Sequence, residues 1–285
     1  MTSLADNPVA IRTRLLREVP PFRPVALQLL KLIGQPNVPL AQIVSLMRTD
    51  AVMTAEMLRL ANSPLLDCRN EIKSVLHALA ILGLNRVSAL ILTTAMRGLV
   101  DTRRSVLTHL CWRHSLTTAL VCERLAEHFD LEKETAYTAG LIHDIGRLAL
   151  LRTFPEYEEA MKLAEAEQRG LLETERQEFH LDHAEAGRWL LGQWGCPMEL
   201  QNVAALHECP PAGPLRDAAL IRLVHAGSQL ADAIGMSPFP ASPHPEPPEI
   251  AAAFPAAQAL RVLAQFPQTA EQVITKVNQI ELSLC

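Results

Sequence analysis

The stretch from Gly140 to Leu150, GLIHDIGRLAL, carries an imidazole, a carboxylate and a guanidinium within five positions of an otherwise apolar segment. Burying such groups is costly unless they pair with one another or bind a metal ion. Neighbouring side chains on a helix diverge by about 100°, so His143 and Asp144 can still converge on one cation. Arg147 lies one turn beyond His143, where it can pair with Asp144 or hold an anionic group such as phosphate. The stretch predicts a buried polar site, either metal-binding or satisfied by its own side chains.

The composition of the chain favours a helical fold with a sizeable core. The chain has 285 residues, of which 49% are apolar and only 4% are aromatic. This length is enough for one large or two small domains, and abundant Leu and Ala suit contacts between helices better than sheets. No alternation of polar and apolar residues is long enough to predict a strand. We therefore predict an all-α fold.

The charge and hydropathy patterns argue against a nucleic-acid-binding or membrane-spanning protein. The net charge is −5, and basic residues occur only in short pairs such as Arg103-Arg104, so no basic groove is indicated. No apolar run approaches the roughly 20 residues of a membrane span, and the N-terminus lacks the apolar core of a signal peptide. The six cysteines are scattered, which is typical of reduced core residues. A cytoplasmic location is expected, with no nucleic acid or membrane as a partner.

Apolar residues recur at spacings of three and four along most of the chain, which predicts a series of helices. The predicted helices cover residues 21–36, 39–50, 51–63, 74–83, 85–100, 105–128, 134–151, 156–170, 174–180, 183–195, 197–208 and 215–235. Several boundaries carry residues that favour helix ends. The predicted N-caps are Asp50, Ser74, Thr174 and Asp182, and the predicted C-terminal glycine is Gly83.

Residues 237–248, SPFPASPHPEPP, contain six prolines in twelve positions. Such a composition favours an extended loop over a helix or strand. We predict a linker here that is not a packed element. One or two amphipathic helices are expected beyond it, over residues 249–285.

Two parts of the chain carry ordered motifs. The first, over residues 49–66 and 72–90, has an acidic residue, a Leu-rich helix, the pair Asn62-Ser63 and a helix ending in Leu82-Gly83. The second is the series HSLTTALVCERLAE, AGLIHDIGRLALL, HAEAGRWLLGQWGCP and VAALHE. Together they resemble the HDOD family, a signalling branch of the HD phosphohydrolase superfamily, over about residues 15–235.

The resemblance implies a multi-helix HD-like core preceded by an N-terminal helical bundle. The implied division is an N-terminal subdomain over 1–100, an HD-like core over 101–236, the proline-rich loop over 237–248 and C-terminal helices over 249–285. Active HD enzymes hold metal through a His, a His-Asp pair and a distant Asp, and relatives that cleave cyclic dinucleotides add further histidines. The ligands that this implies here are His114, His143, Asp144, His183 and His207. Imidazoles mixed with a carboxylate suit Fe, Mn or Zn, which activate water for attack at phosphorus.

This chain departs from the pattern of the active enzymes at three points. Ser228 stands where the distant Asp is expected, and Asp232 lies one helical turn later. Arg147 replaces the lysine that follows the His-Asp motif in cyclic-dinucleotide enzymes, and their GYP motif is absent. A neutral hydroxyl is a weak metal ligand, so we predict a degenerate metal site, with Arg147 and Ser228 as candidates for binding phosphate or another ligand.

These departures favour a non-catalytic binding or adaptor module in bacterial signal transduction, with protein partners. Two forms of the site remain open under this interpretation: a metal bound without turnover, and an Asp144–Arg147 pair with hydrogen-bonded histidines that needs no ion. The alternative function is a metal-dependent phosphohydrolase or phosphodiesterase acting on a nucleotide or cyclic dinucleotide. A helical DNA-binding regulator is disfavoured by the charge pattern.

Overall fold

The computed structural model describes residues 8–19, 24–33, 35, 37–62, 72–97, 105–210, 217–251, 254 and 256–284. Within these ranges the chain is helical and contains no strand, which confirms the all-α class. The chain divides into two compact units, one formed by residues 21–98 and the other by residues 1–20 together with 99–285. The division into four functional parts stays a prediction. In the described residues no helix combines the length and hydropathy that crossing a bilayer requires.

The helices follow one another in a simple order. They are α1 (Pro8–Glu18), α2 (Pro24–Ile33), α3 (Leu40–Met47), α4 (Ala51–Ala61), α5 (Val75–Arg97), α6 (Val106–Leu125), α7 (Lys133–Ile142), α8 (Ile145–Thr153), α9 (Tyr157–Ala166), α10 (Leu171–Phe179), α11 (His183–Gln193), α12 (Met198–Leu206), α13 (Ala218–Ala231), α14 (Pro247–Ala251) and α15 (Ala256–Leu284). A 3-10 turn follows α6 and a π-helical turn, Asp232–Met236, follows α13.

The unit of residues 21–98 is held by the apolar faces of α2 to α5, with a core rich in methionine and leucine. The predicted caps are confirmed: the Asp50 carboxylate accepts from the backbone N–H of Met53 at 3.1 Å, and the Ser74 hydroxyl accepts from that of His77 at 3.1 Å. Gly83 leaves the helical region with φ 74°, so α5 is kinked where a helix end was predicted. The Asn62 side chain exchanges two hydrogen bonds with the backbone of Ile72, at 2.7 and 2.8 Å, while Ser63 lies outside the described residues.

In the second unit, α6 is the central helix and packs against α7, α13 and α15. The first helix belongs to this unit, because α1 packs against α8. The Arg14 guanidinium lies 4.8 Å from the ring centroid of Phe154, and the Arg152 side chain donates to the backbone carbonyl of Glu18 at 2.6 Å. The predicted cap of α11 is confirmed, since Asp182 accepts from the backbone N–H of Glu185 at 2.7 Å.

The prediction of one continuous helix over 134–151 is wrong. The chain leaves the helix at Asp144, whose φ and ψ are −103° and 23°, and α7 and α8 run on either side of the bend. Just after the bend, Gly146 allows close contact with α11: a Cβ there would lie 1.9 Å from the backbone oxygen of His183 and 2.5 Å from the nitrogen of Gly187. The bend lets α7 pack on α6 while α8 lies against α11.

The prediction that Thr174 starts a helix is also wrong. The helix α10 begins three residues earlier, at Leu171, and Thr174 lies inside it. Its hydroxyl donates to the backbone oxygen of Gly170 at 3.0 Å, which is the bond that a threonine makes within a helix and not at a cap.

Candidate functional site

A cavity of about 240 Å³ lies within the second unit, and side chains from several helices converge on it. The lining contains six of the seven residues predicted from the sequence: His114, His143, Asp144, Arg147, His207 and Ser228. The seventh, His183, lies directly beside them, with its Nε2 3.6 Å from Oδ1 of Asp144. The structure therefore brings the seven residues together, while their roles as ligands stay predictions.

Asp144, His183 and His207 form the tightest cluster of potential metal ligands. One ligand atom from each lies within 4.8 Å of the other two. Oδ1 of Asp144 is buried and makes no hydrogen bond with any described residue. A buried carboxylate oxygen without a hydrogen-bond donor fits a bound cation. The residues present therefore fit a metal ion of the kind that imidazole and carboxylate ligands bind.

His143 and His207 present unprotonated nitrogens to the cavity. Nδ1 of His143 donates to the backbone oxygen of Gly140 at 2.7 Å, and Nδ1 of His207 donates to that of Ala204 at 3.0 Å. Burial, together with the other imidazoles, lowers the pKa of His143 to about 3 and that of His207 to about 4. Both rings are therefore neutral at physiological pH, with Nε2 available as an acceptor or metal ligand.

His114 is engaged with residues on the opposite wall. Its Nε2 lies 3.1 Å from the Ser228 hydroxyl, and its Nδ1 lies 3.3 Å from both the Met236 carbonyl and Oδ1 of Asp232. Ser228 and Asp232 therefore lie at different edges of the His114 ring. Asp232 does not occupy the position that a carboxylate at residue 228 would have. His225, which also lines the cavity, donates from Nδ1 to the backbone oxygen of His207 at 2.6 Å.

Arg147 lies among three carboxylates. Its Nε donates to Oδ2 of Asp144 at 2.8 Å, and its Nη1 donates to Oε1 of Glu175 at 3.4 Å. Its Nη2 lies 3.6 Å from Oε1 of Glu208 and 3.1 Å from Nε2 of His183. The pair of Asp144 and Arg147 considered from the sequence is therefore formed, and it belongs to a larger buried network.

Glu175 was missed by sequence reasoning, although it orients one of the predicted ligands. Its Oε2 accepts from Nδ1 of His183 at 2.7 Å and from the backbone N–H of that residue at 2.9 Å, and its Oε1 accepts from the Tyr157 hydroxyl. Burial opposes ionisation, but His183 and Arg147 lower the pKa of Glu175 to about 2. The sequence does carry a signal for Glu175: it precedes Phe179 by one helical turn, so it is a charged residue on the apolar face of α10.

The carboxylates of Glu175 and Asp144 change the pKa of His183. Burial and Arg147 favour its neutral form, but Glu175 and Asp144 outweigh them and raise the pKa of His183 to about 10. These carboxylates favour the protonated ring, and Nε2 must carry no proton to bind a cation. The Arg147 guanidinium balances part of the negative charge on this side of the cavity.

The prediction that the proline-rich segment is an unpacked linker is wrong. Residues 237–245, which we call the strap, cross the cavity, and Phe239 is only 4% exposed. The guanidinium carbon of Arg147 lies 5.2 Å from the Phe239 ring centroid. Prolines prevent a helix here, but they also carry no N–H that would need a partner when buried, so this composition is compatible with close contact.

Residues 19–210 match the HDOD domain family. A protein of Treponema pallidum without a characterised function is 23% identical over 216 residues, which are 73% of this chain and 41% of that protein. The chain therefore spans about two fifths of the length of this relative.

Solved structures share the fold. An HDOD domain protein of unknown function from Geobacter sulfurreducens has a TM-score of 0.70 at 21% identity, with 98% of this chain and 97% of that chain covered. A candidate phosphohydrolase from Shewanella amazonensis has a TM-score of 0.66 at 20% identity, with 93% and 98% covered. A candidate signal transduction protein from Marinobacter aquaeolei has a TM-score of 0.76 at 17% identity, with 98% and 68% covered. At these identities the likeness establishes the fold alone.

Proposed function

Since the chain belongs to the HDOD domain family, we propose that it is a signal-transduction module that binds partner proteins and does not hydrolyse phosphate esters. The observation that carries this proposal is the position of Arg147. Its guanidinium contacts Asp144, Glu175 and Glu208, all of which a catalytic cation would otherwise help to neutralise. Arginine does not lose its proton in proteins, so this positive charge is permanent and opposes a cation bound beside it.

The side of the cavity formed by His114 and Ser228 supports the same proposal. A hydrolytic metal site needs ligands that fix the ion firmly and leave an open position for water. Ser228 offers a neutral hydroxyl that lies 3.1 Å from Nε2 of His114, so both groups already have a partner. The similarity in fold to a candidate signal transduction protein is in keeping with a binding role.

A metal-dependent phosphohydrolase is the second candidate, and the unpartnered Oδ1 of Asp144 favours it. In that case Asp144, His183 and His207, with His143 alongside, would hold one Fe, Mn or Zn ion. When bound, the ion would supply Lewis-acid activation of water. Glu175 would orient His183 through its Nδ1, and Arg147 would be available to hold a phosphate oxygen.

The two candidates are separated by metal content and turnover measured on the same preparation. The full chain is purified without chelators, analysed for Fe, Mn and Zn, and assayed with p-nitrophenyl phosphate, bis(p-nitrophenyl) phosphate and a cyclic dinucleotide in added Mn²⁺. We expect no turnover above that of the His143→Ala variant. Stoichiometric metal together with turnover that His143→Ala abolishes, and that His77→Ala on the exposed face of α5 retains, would overturn the adaptor proposal.

A further inference from the structure

The cavity has room for a ligand, yet its inner ligand atoms are almost sealed from solvent. His143 is 1% exposed, and Asp144 and His207 are each 3% exposed, although about 240 Å³ of space adjoins them. Part of the cover comes from the strap, which contributes six residues from Pro238 to Pro245 to the lining together with Ser237. Ions and small molecules therefore meet the strap on one side of the cavity before they reach these groups.

The strap is held from outside by a carboxylate on another helix. Oε1 of Glu165, near the end of α9, accepts from the backbone N–H of Ala241 at 2.6 Å and of Ser242 at 3.2 Å. Hydrogen bonds to a charged acceptor are stronger than those between neutral groups, so Glu165 makes the strongest tether that we identify in the described residues.

Two weaker contacts hold the inner side of the strap. Nδ1 of His244 lies 3.3 Å from Oδ2 of Asp232, and the Phe239 ring lies under the Arg147 guanidinium at 5.2 Å. The ion pair is partly exposed and contributes little to stability, whereas the cation–π contact is buried and contributes more. Opening of the strap should therefore require much less free energy than unfolding of the unit, as is common for segments that cover binding sites.

The ends of the strap allow it to move as one piece. It begins directly after the π-helical turn Asp232–Met236, in which Gly235 has φ 81°, and it ends shortly before α14. A backbone of positive φ that glycine adopts freely is a usual hinge position. The carbonyl of Met236, in the same turn, lies 3.3 Å from Nδ1 of His114, so movement at this hinge also changes the surroundings of a cavity residue.

From these contacts we propose that the strap is a gate: it closes the histidine cavity in the resting protein and must lift from Glu165 before a ligand reaches His143 and His207. This proposal concerns access to the same site, and it rests on the proposed function in taking the cavity to be a binding site. Access to the cavity can be measured without any turnover, so the two proposals can fail separately.

The test measures acylation of individual histidines by diethyl pyrocarbonate, followed by peptide mass spectrometry of the full chain. In Glu165→Ala we expect His143 and His207 to react at least about tenfold faster than in the unchanged protein, because the strap loses both hydrogen bonds to the carboxylate. The exposed His77, which lies in the other compact unit, should react at its original rate and serves as a control for the reagent. The matched control is Glu159→Ala, an exposed glutamate on the same helix, which should leave all rates unchanged.

Equal rates for His143 and His207 in Glu165→Ala and Glu159→Ala would overturn the gate. A second measurement needs no substitution and holds even if Glu165→Ala fails to fold. In the unchanged protein, amide hydrogen exchange over 237–245 should be at least about tenfold faster than over the buried helix α6. If the strap exchanges as slowly as α6, the cavity opens only when the whole unit unfolds, and the proposal is wrong.

Discussion

The two walls of the cavity offset the cost of burying polar groups by different interactions. On one wall, the side chains of Asp144 and Glu175 pair with the Arg147 guanidinium, so charge is balanced by charge. On the other, His143 and His207 are neutral, and each satisfies only its Nδ1, through a backbone carbonyl. The charged wall is nearly saturated, whereas the neutral wall leaves two Nε2 atoms for a ligand. The comparison teaches that stability should depend on the first wall and ligand binding on the second.

The largest expected effect comes from removing the guanidinium. In Arg147→Met two buried carboxylates lose their fixed counter-charge, and removing one partner from such a network costs about 3–5 kcal/mol. We expect a corresponding fall in the free energy of unfolding, measured with urea. Added Mn²⁺ should recover more of this loss than it adds to the unchanged protein, because the ion can now supply the missing charge.

The neutral wall provides the control for that variant. His143→Gln retains a polar side chain and removes no charge, so its unfolding free energy should change by about 1 kcal/mol or less, within the usual range for one hydrogen bond. If His143→Gln destabilised the protein as strongly as Arg147→Met, the contrast between the two walls would be lost.

The next effect is steric and concerns the position of the charged wall. Gly146→Ala places a Cβ 1.9 Å from the backbone oxygen of His183, a contact that backbone movement alone can relieve. We expect a loss of about 3 kcal/mol in the free energy of unfolding, at the upper end for an overpacked site. In Gly192→Ala the new Cβ meets only the flexible Gln201 side chain, at 3.2 Å. This control should change stability by less than about 1 kcal/mol.

The sequence predicted the class of fold and six of the residues that line the cavity, but not how the chain brings them together. The His143-Asp144-Arg147 spacing predicted a polar site from helix geometry alone, and the remaining candidates followed from the family resemblance. The bend at Asp144 could not be predicted, because the apolar period continues through the bend. Glu175 was missed for a similar reason: only the folded chain shows that α10 brings it to His183.

The strap shows a different limit of sequence reasoning. Six prolines over 237–248 correctly exclude a long helix, and α14 begins only at Pro247. Composition does not say whether such a segment is solvated or covers another surface. That depends on Phe239 reaching Arg147 and on Glu165 accepting two backbone N–H groups, and these partners lie more than 70 residues away in the sequence.

A smaller effect is expected where a neutral group supports the charged network. Tyr157→Phe removes the hydroxyl that donates to Glu175 and leaves the ring in place. We expect a loss of about 1.5–3 kcal/mol in unfolding free energy, the usual contribution of a buried hydrogen bond to a charged group. A loss below about 0.5 kcal/mol would mean that Glu175 does not depend on Tyr157 for its place.

The smallest effect tests whether a carboxylate beside His114 strengthens metal binding in the cavity. Ser228→Asp places a carboxylate where active HD enzymes are expected to have one, beside Nε2 of His114. We expect Mn²⁺ to bind about tenfold more tightly, a gain of about 1.4 kcal/mol, as measured by calorimetry on the full chain. Ser228→Asn is nearly the same size and adds no charge, so it should bind Mn²⁺ as the unchanged protein does. If both variants bind equally, the hydroxyl at position 228 is not what weakens the site. Repulsion by Arg147 would then be the dominant cause, and Arg147→Met should show the larger gain in Mn²⁺ affinity.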